Sequence, residues 1–516
     1  MIGTSVSELV FIRLSILVFR YMPVLYLASL ATTLLIQTDS SLLQRLRIVL
    51  SGLLLAELFF FTLIYAPHKQ RLRRAAIHPV PISPADRKAL FEKCITNTPH
   101  PQEYLRWWFL GARMEDIRHD NLQEFFLWAF FDTDMQSQSP GLIDEDILNE
   151  LEEYITLTEK QLAHPVGEGR GAAKCLRLTF DEVPSVYRCL LWYFIIYLID
   201  MATHAALSWC GFCYYARSSE MSWATFPPRP QELFAKCRSP EPELGYWFKP
   251  HTCPNSRPIV FWHGIGVGLW TYVRFLTQLG HSARSGDVGL IVPEVLPISF
   301  RLTHPLPRKH ELLRMIIGIL DHHHGWETFK LVSHSYGSVP TTHMLHSSVL
   351  QQRIAAVVLI DPITILLHLP DVAYNFTRRP PKMANEWQLW YFASTDPGVA
   401  YSLGRRFFWR DNILWREDLF SDPLQSGAER AQLGRRKVAV SLSGRDLIVD
   451  TASVTNYLTS KPRIITGDDA IGHPKEYSEV PSDEVDVVVF PLLDHAQVFD
   501  CKYARDWVVQ LIHSHG

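Results

Sequence analysis

The stretch that most constrains this chain is the apolar run Phe329-Lys330-Leu331-Val332-Ser333, which breaks at His334-Ser335-Tyr336-Gly337-Ser338 and passes into a helix-compatible segment. It predicts a strand, a sharp elbow and a helix, with Ser335 at the apex. Such an elbow lifts a serine hydroxyl clear of a sheet, points the positive end of the next helix at it, and frees the amide of Tyr336 as a donor. The turn also crowds the residues two before and two after the serine. Gly337 suits the second place, and Ser333 stands at the first, where this motif ordinarily has glycine.

From about Gly245 onward, short β-branched runs alternate with helical patterns, the signature of a mainly parallel sheet in an α/β fold. Strands are predicted over 258–262, 288–292, 329–333, 355–360, 437–442 and 485–490, and helices over 271–279, 310–319, 339–349 and 496–511. The roughly 75 residues between Asp361 and Lys437 are too many for a simple crossover, so 362–436 is read as an inserted helical cap.

A serine hydroxyl is a weak nucleophile at neutral pH and needs a base, an acid to orient that base, and donors for the developing oxyanion. Each has a candidate at a strand end. Asp446 lies in the turn Ser443-Gly444-Arg445-Asp446, and His495 lies in Leu493-Asp494-His495-Ala496 ahead of the last helix. The glycine turn His263-Gly264-Ile265-Gly266 offers the amides of Gly264 and Ile265, Ile265 foremost, to join that of Tyr336 as an oxyanion hole. Asp361 and Asp450 are alternative acids, and Asp494 reads as a helix cap. Three adjacent histidines, His322 to His324, cannot all reach one ion from a regular element and read as a loop edge. Arg405, Arg406 and Arg410 fit a solvated face, or else a grip on a substrate carboxylate or phosphate. This chemistry requires no metal and no organic cofactor.

With these residues in place, the chain resembles the α/β-hydrolase superfamily over roughly 245–516, from His263-Gly264 through the Ser-X-Ser-X-Gly elbow to Asp494-His495. Within it, the chain looks like the fungal proteins that join an N-terminal membrane segment to a hydrolase domain, an impression strengthened by the aromatic cap sequence Phe407-Phe408-Trp409 through Trp415. The resemblance implies a catalytic triad of Ser335, Asp446 and His495 acting on an ester or related acyl substrate, and it names no particular substrate. Acyl transfer by the same triad and a non-catalytic membrane scaffold are the rival functions.

The first 74 residues hold two apolar runs, 9–36 and 48–66, each long enough to cross a hydrocarbon core. They read as a two-helix membrane anchor rather than a cleaved signal, because the first is long and carries Arg13 and Arg20. Lys69, Arg71, Arg73 and Arg74 follow at once and favour a cytosolic catalytic region, with an endomembrane such as the endoplasmic reticulum as the expected site. Residues 75–244 read as a helical region. It contains a third apolar stretch near 189–215, whose Asp200 and His204 would be expensive in lipid, so it reads as a buried or membrane-surface helix that dips into the bilayer, with a third span as the rival. A proline-punctuated linker ends the region. The eight cysteines show no zinc spacing and read as reduced thiols, and a near-neutral pI gives no sign of a nucleic-acid partner. The expected partners are the lipid bilayer and an apolar acyl ester, with Phe408 and Trp409 of the cap facing that substrate.

Overall fold

A computed structural model describes residues 3–36, 40–133, 145–282, 286–420, 436–466 and 484–515. Eight strands form the body of one sheet: β1 (Cys213–Ala216), β2 (Tyr246–Lys249), β3 (Ile259–Trp262), β4 (Leu290–Pro293), β5 (Phe329–His334), β6 (Ile354–Ile360), β7 (Lys437–Ser443) and β8 (Asp486–Phe490). They lie in the order β1-β2-β4-β3-β5-β6-β7-β8, and two-residue strands, Cys237–Arg238 and Arg463–Ile464, extend the two edges. β2 is antiparallel to both its neighbours, and every other pairing in the sheet is parallel.

The central strands are apolar on both faces because helices cover both. Ile259 and Phe261 of β3 pack with Phe275, Leu276, Val508 and Leu511 on one side. Val260 and Trp262 point the other way, toward Met315, Ile316, Val339 and Met344. All four β3 side chains are fully buried, and each contributes about 1.5–3 kcal/mol on leaving water. Lys330, a charge in the central strand, is accommodated because its Nζ donates to the carbonyl of Ile512 at 3.0 Å, at the end of the last helix.

This strand order, with one antiparallel strand near the edge and a strand–elbow–helix at β5, is that of the α/β-hydrolase fold. The six strands expected from the sequence are all present, and β1 and β2 are additional. The apolar stretch at 189–215 is therefore not one helix: Leu190–Trp209 is helical, and Cys213–Ala216 turns back into the sheet. The sheet thus reaches well before residue 245.

The proline-rich stretch is also more than a linker. Arg229 donates to Asp200 at 2.8 Å, to Glu232 at 2.7 Å and to Glu294 at 2.9 Å, all inside the protein. Asp200, the charge in the middle of the apolar helix Leu190–Trp209, also accepts from Arg301 at 2.7 Å and Gln231 at 2.6 Å. That helix is therefore fastened to the domain by its polar centre, while Phe194 and Leu198, one turn apart, stay exposed.

Among the described residues, three helices are long and apolar enough to cross a membrane: Val6–Leu35, Ser41–Arg71 and Leu190–Trp209. The first runs beside the cap, where Ile12 and Ile16 pack with Ala384 and Tyr391, and Arg13 lies 5.2 Å from the centre of the Trp387 ring. The insert after β6 is helical, with Pro370–Thr377, Ala384–Gln388, Pro397–Arg405 and Trp409–Asn412, while 421–435 at its end falls outside the described residues. The earlier helices lean on this insert. Trp108 Nε1 donates to the carbonyl of His368 at 3.1 Å, and Trp409 Nε1 to that of Ala129 at 3.0 Å.

Candidate active site

Ser335 sits at the carboxyl end of β5 with φ 51°, in the left-handed region that a non-glycine residue adopts only at a cost of about 1–3 kcal/mol. Gly337 is obligatory there, since a Cβ would lie 2.3 Å from the carbonyl oxygen of Trp262. Ser333, in the place where glycine is usual, fits with its side chain fully buried.

The Ser335 hydroxyl is hydrogen bonded to His495 Nε2 at 2.8 Å, and His495 Nδ1 donates to Asp446 Oδ2 at 2.6 Å. The other Asp446 oxygen accepts the amides of Ile448 at 2.7 Å and Val449 at 3.0 Å, which fixes the carboxylate in the turn after β7. The sheet thus brings together three residues that lie far apart in sequence, in hydrogen-bond contact end to end. Burial by itself would depress the His495 pKa, but Asp446, Asp361 and Asp494 outweigh it and push the imidazole up to about 9.

Asp361, the alternative acid, is placed differently. Its carboxylate accepts from the Ser443 amide at 2.7 Å, the Ser443 hydroxyl at 3.0 Å and the Ala496 amide at 3.0 Å. Burial and the neighbouring Asp446 raise its pKa to about 6. Asp494 is not a helix cap: Oδ1 accepts the amides of His495 at 2.7 Å and Leu447 at 3.0 Å, and Oδ2 accepts from Asn385 of the cap at 2.6 Å. It ties the two loops that carry Asp446 and His495 to each other and to the insert.

Of the three oxyanion candidates, Gly264 is corrected by the structure. Its amide donates to the Tyr272 hydroxyl at 3.1 Å, and that hydroxyl donates on to His334 Nδ1 at 2.7 Å. Gly264 matters instead as a close approach, since a Cβ there would stand 2.8 Å from Ser335 Cβ. Ile265 lines the pocket around Ser335, and Tyr336 is the second residue of the helical turn Ser335–Gly337, where an amide has no partner in the helix itself. Sequence reasoning missed Tyr272 and His334 as the brace between glycine turn and elbow. Their types carry no periodic signal, although His334 lies inside the motif.

The pocket over Ser335 is apolar and almost filled, with a volume of about 30 Å³, little more than one water needs. Trp409, Phe407, Phe376 and Leu403 of the cap close it together with Trp108, Trp128 and Leu178 from before the sheet. Trp409 is therefore placed beside the serine, whereas Phe408 turns into a separate, larger cavity. His323 stacks on Phe248, with ring centres 3.9 Å apart, and donates to or accepts from the Tyr246 hydroxyl at 2.9 Å.

No family model and no curated protein matches the chain. Among solved structures, the chain is similar to a membrane phospholipase A described as a bacterial virulence factor, at 10% identity and TM-score 0.34, over 62% of this chain and 93% of that one. It is similar to naproxen esterase from Bacillus subtilis at 13% identity and TM-score 0.32, over 52% and 87%. Haloalkane dehalogenase DbeA from Bradyrhizobium elkani follows at 11% identity and TM-score 0.31, over 52% and 94%.

Proposed function

We propose that this chain is a membrane-anchored serine hydrolase that cleaves a carboxylic ester. The observation that carries the reading is the unbroken array Ser335–His495–Asp446 at a nucleophile held at φ 51°. In the first half-reaction His495 Nε2 takes the hydroxyl proton as Ser335 Oγ adds to the ester carbonyl, and the Ile265 and Tyr336 amides receive the oxyanion. Collapse expels the alcohol, which leaves with the proton returned by His495, and an acyl-serine remains. Water then adds through the same base, releases the acid and restores the serine. Asp446 holds the imidazole in the tautomer that presents a lone pair to Ser335 and stabilises the imidazolium between the two transfers.

The apolar lining around Ser335 supports an apolar acyl group as the part of the ester seated there. Helices Val6–Leu35 and Ser41–Arg71 anchor the protein in the bilayer, and Leu190–Trp209 lies at the membrane surface with its Asp200 turned into the domain. The catalytic domain faces the cytosol. A fluorophosphonate probe tests the core of this reading: it should label the wild-type protein at Ser335, and Ser335→Ala should abolish the label. Full labelling of that variant would mean that another nucleophile is at work.

A further inference from the structure

A cavity of about 800 Å³ opens on the far side of Tyr336 from the serine pocket. Its walls are the loop after β4, the start of helix Lys309–His322, helix Ser338–Leu345 and the cap residues around Arg406. Leu296, Leu306, Val339 and Phe408 make much of this surface apolar. The two spaces meet at the contact between Tyr336 and Phe407, whose ring centres are 6.2 Å apart.

The three cap arginines behave differently from one another. Arg405 is spent on the carbonyls of Arg74, Thr179 and Asp181, and Arg410 on Asp132 and the carbonyl of Phe130. Arg406 is half-buried in the cavity wall, and among the described residues no side chain or carbonyl is hydrogen bonded or ion paired to its guanidinium. Lys309, also half-buried in the wall, has no ion pair there either. Of the wall carboxylates, Glu294 is taken by Arg229, and Glu311 accepts the Arg308 amide at 2.6 Å. Asp411 and the exposed Glu243 remain, beside the cations Arg406, Lys309 and Arg308.

A half-buried guanidinium without a partner is costly, and its planar fork of donors matches a carboxylate or phosphate. We propose that this cavity binds an amphiphilic anion, with Arg406 and Lys309 on its phosphate- or carboxylate-type head and Leu296, Leu306, Val339 and Phe408 along its chain. Because the cavity abuts the residue next to Ser335, esters bearing an acidic head become the substrate class of the proposed hydrolase, an extension that rests on the reading above.

The test uses full-length protein in a non-ionic detergent, with dodecyl phosphate, dodecanol and inorganic phosphate as probes. Equilibrium binding to Ser335→Ala keeps the measurement independent of turnover. Dodecyl phosphate should bind at least tenfold tighter than either dodecanol or inorganic phosphate. Arg406→Gln should weaken it tenfold or more, Arg406→Lys less, and Lys309→Gln severalfold. Equal binding by Arg406→Gln and its parent, with unfolding temperature unchanged, overturns the site, as does dodecanol or inorganic phosphate binding as tightly as dodecyl phosphate. Should Arg406→Gln not fold, Lys309→Gln on a separate element decides the same question. In wild-type protein, dodecyl phosphate should slow fluorophosphonate labelling of Ser335, and in Arg406→Gln it should not. Binding without that protection overturns the link to the substrate, whereas a wild-type protein that never labels overturns the hydrolase reading and leaves the binding result standing.

Discussion

Asp361 holds the amide of Ala496 at 3.0 Å and so fixes the residue next to His495, although it makes no hydrogen bond to the imidazole. Burial would depress the His495 pKa, but the charge of Asp361 joins the larger effect of Asp446 in pushing it up to about 9. The base must be neutral to accept the serine proton, so kcat/KM for a water-soluble ester should rise with pH until about 9. Asp361→Asn removes one negative charge, disfavours the imidazolium and should move this acid limb to lower pH. A limb that stays in place or moves upward would show that Asp361 acts only through the backbone.

Among the array residues, His495→Ala should lower kcat/KM on the order of a thousandfold. Asp446→Asn should cost less, because an orienting acid is partly replaceable and a general base is not. Turnover of a p-nitrophenyl ester by the two folded variants measures the difference. If Asp361→Asn proves more damaging than Asp446→Asn at the pH of maximal activity, the orienting acid is Asp361.

Tyr272→Phe deletes the hydroxyl that joins the Gly264 amide to His334. Leaving those two buried groups unpaired should cost about 1–3 kcal/mol of stability. Since the brace also positions the Ile265 turn against the elbow, kcat should fall about tenfold with KM little changed. An equal rise in KM with kcat unaffected would place Tyr272 in substrate binding instead.

For the proposed acyl chain to enter, the serine pocket, about 30 Å³ as it stands, must enlarge. Trp409→Ala should move the preferred acyl length upward while fluorophosphonate labelling of Ser335 persists. Trp128→Phe, a change outside the cap, should shift it in the same sense. A ranking of esters unaltered by both would remove these rings from selectivity.

Breaking the buried ionic cluster should destabilise the protein without releasing it from membranes. Arg229→Met leaves Asp200 and Glu294 without their shared partner, a loss of about 3–5 kcal/mol. Limited proteolysis of the detergent-solubilised protein should show it. Carbonate washing should leave wild type and variant alike in the membrane pellet, because the proposed anchor is the helical pair Val6–Leu35 and Ser41–Arg71, which the ionic cluster does not include. Extraction of the wild type by carbonate would refute that anchor.

The amino-acid sequence determined the features that local rules write into neighbouring residues. Short β-branched and apolar runs fixed the central strands, such as Ile259 to Trp262, which are buried on both faces of the sheet. The break after β5 placed Ser335 at an elbow, and strand ends placed Asp446 and His495, because a side chain at the carboxyl edge of a parallel sheet can be located by counting along its own strand. β1 escaped notice because four residues are too few to show a period, and they follow within a few positions of the apolar helix Leu190–Trp209.

Tertiary structure alone decided which partner each polar group takes. Asp446 rather than Asp361 meets His495, Tyr272 occupies the Gly264 amide, and Arg405 and Arg410 find acceptors while Arg406 finds none among the described residues. It also carried Trp108, Trp128 and Leu178 over a serine that lies more than 150 residues further along the chain. Pairings of that kind follow from how the sheet, the insert and the N-terminal helices stack. A hydrogen bond between residues hundreds of positions apart leaves no spacing in the sequence from which it could be read.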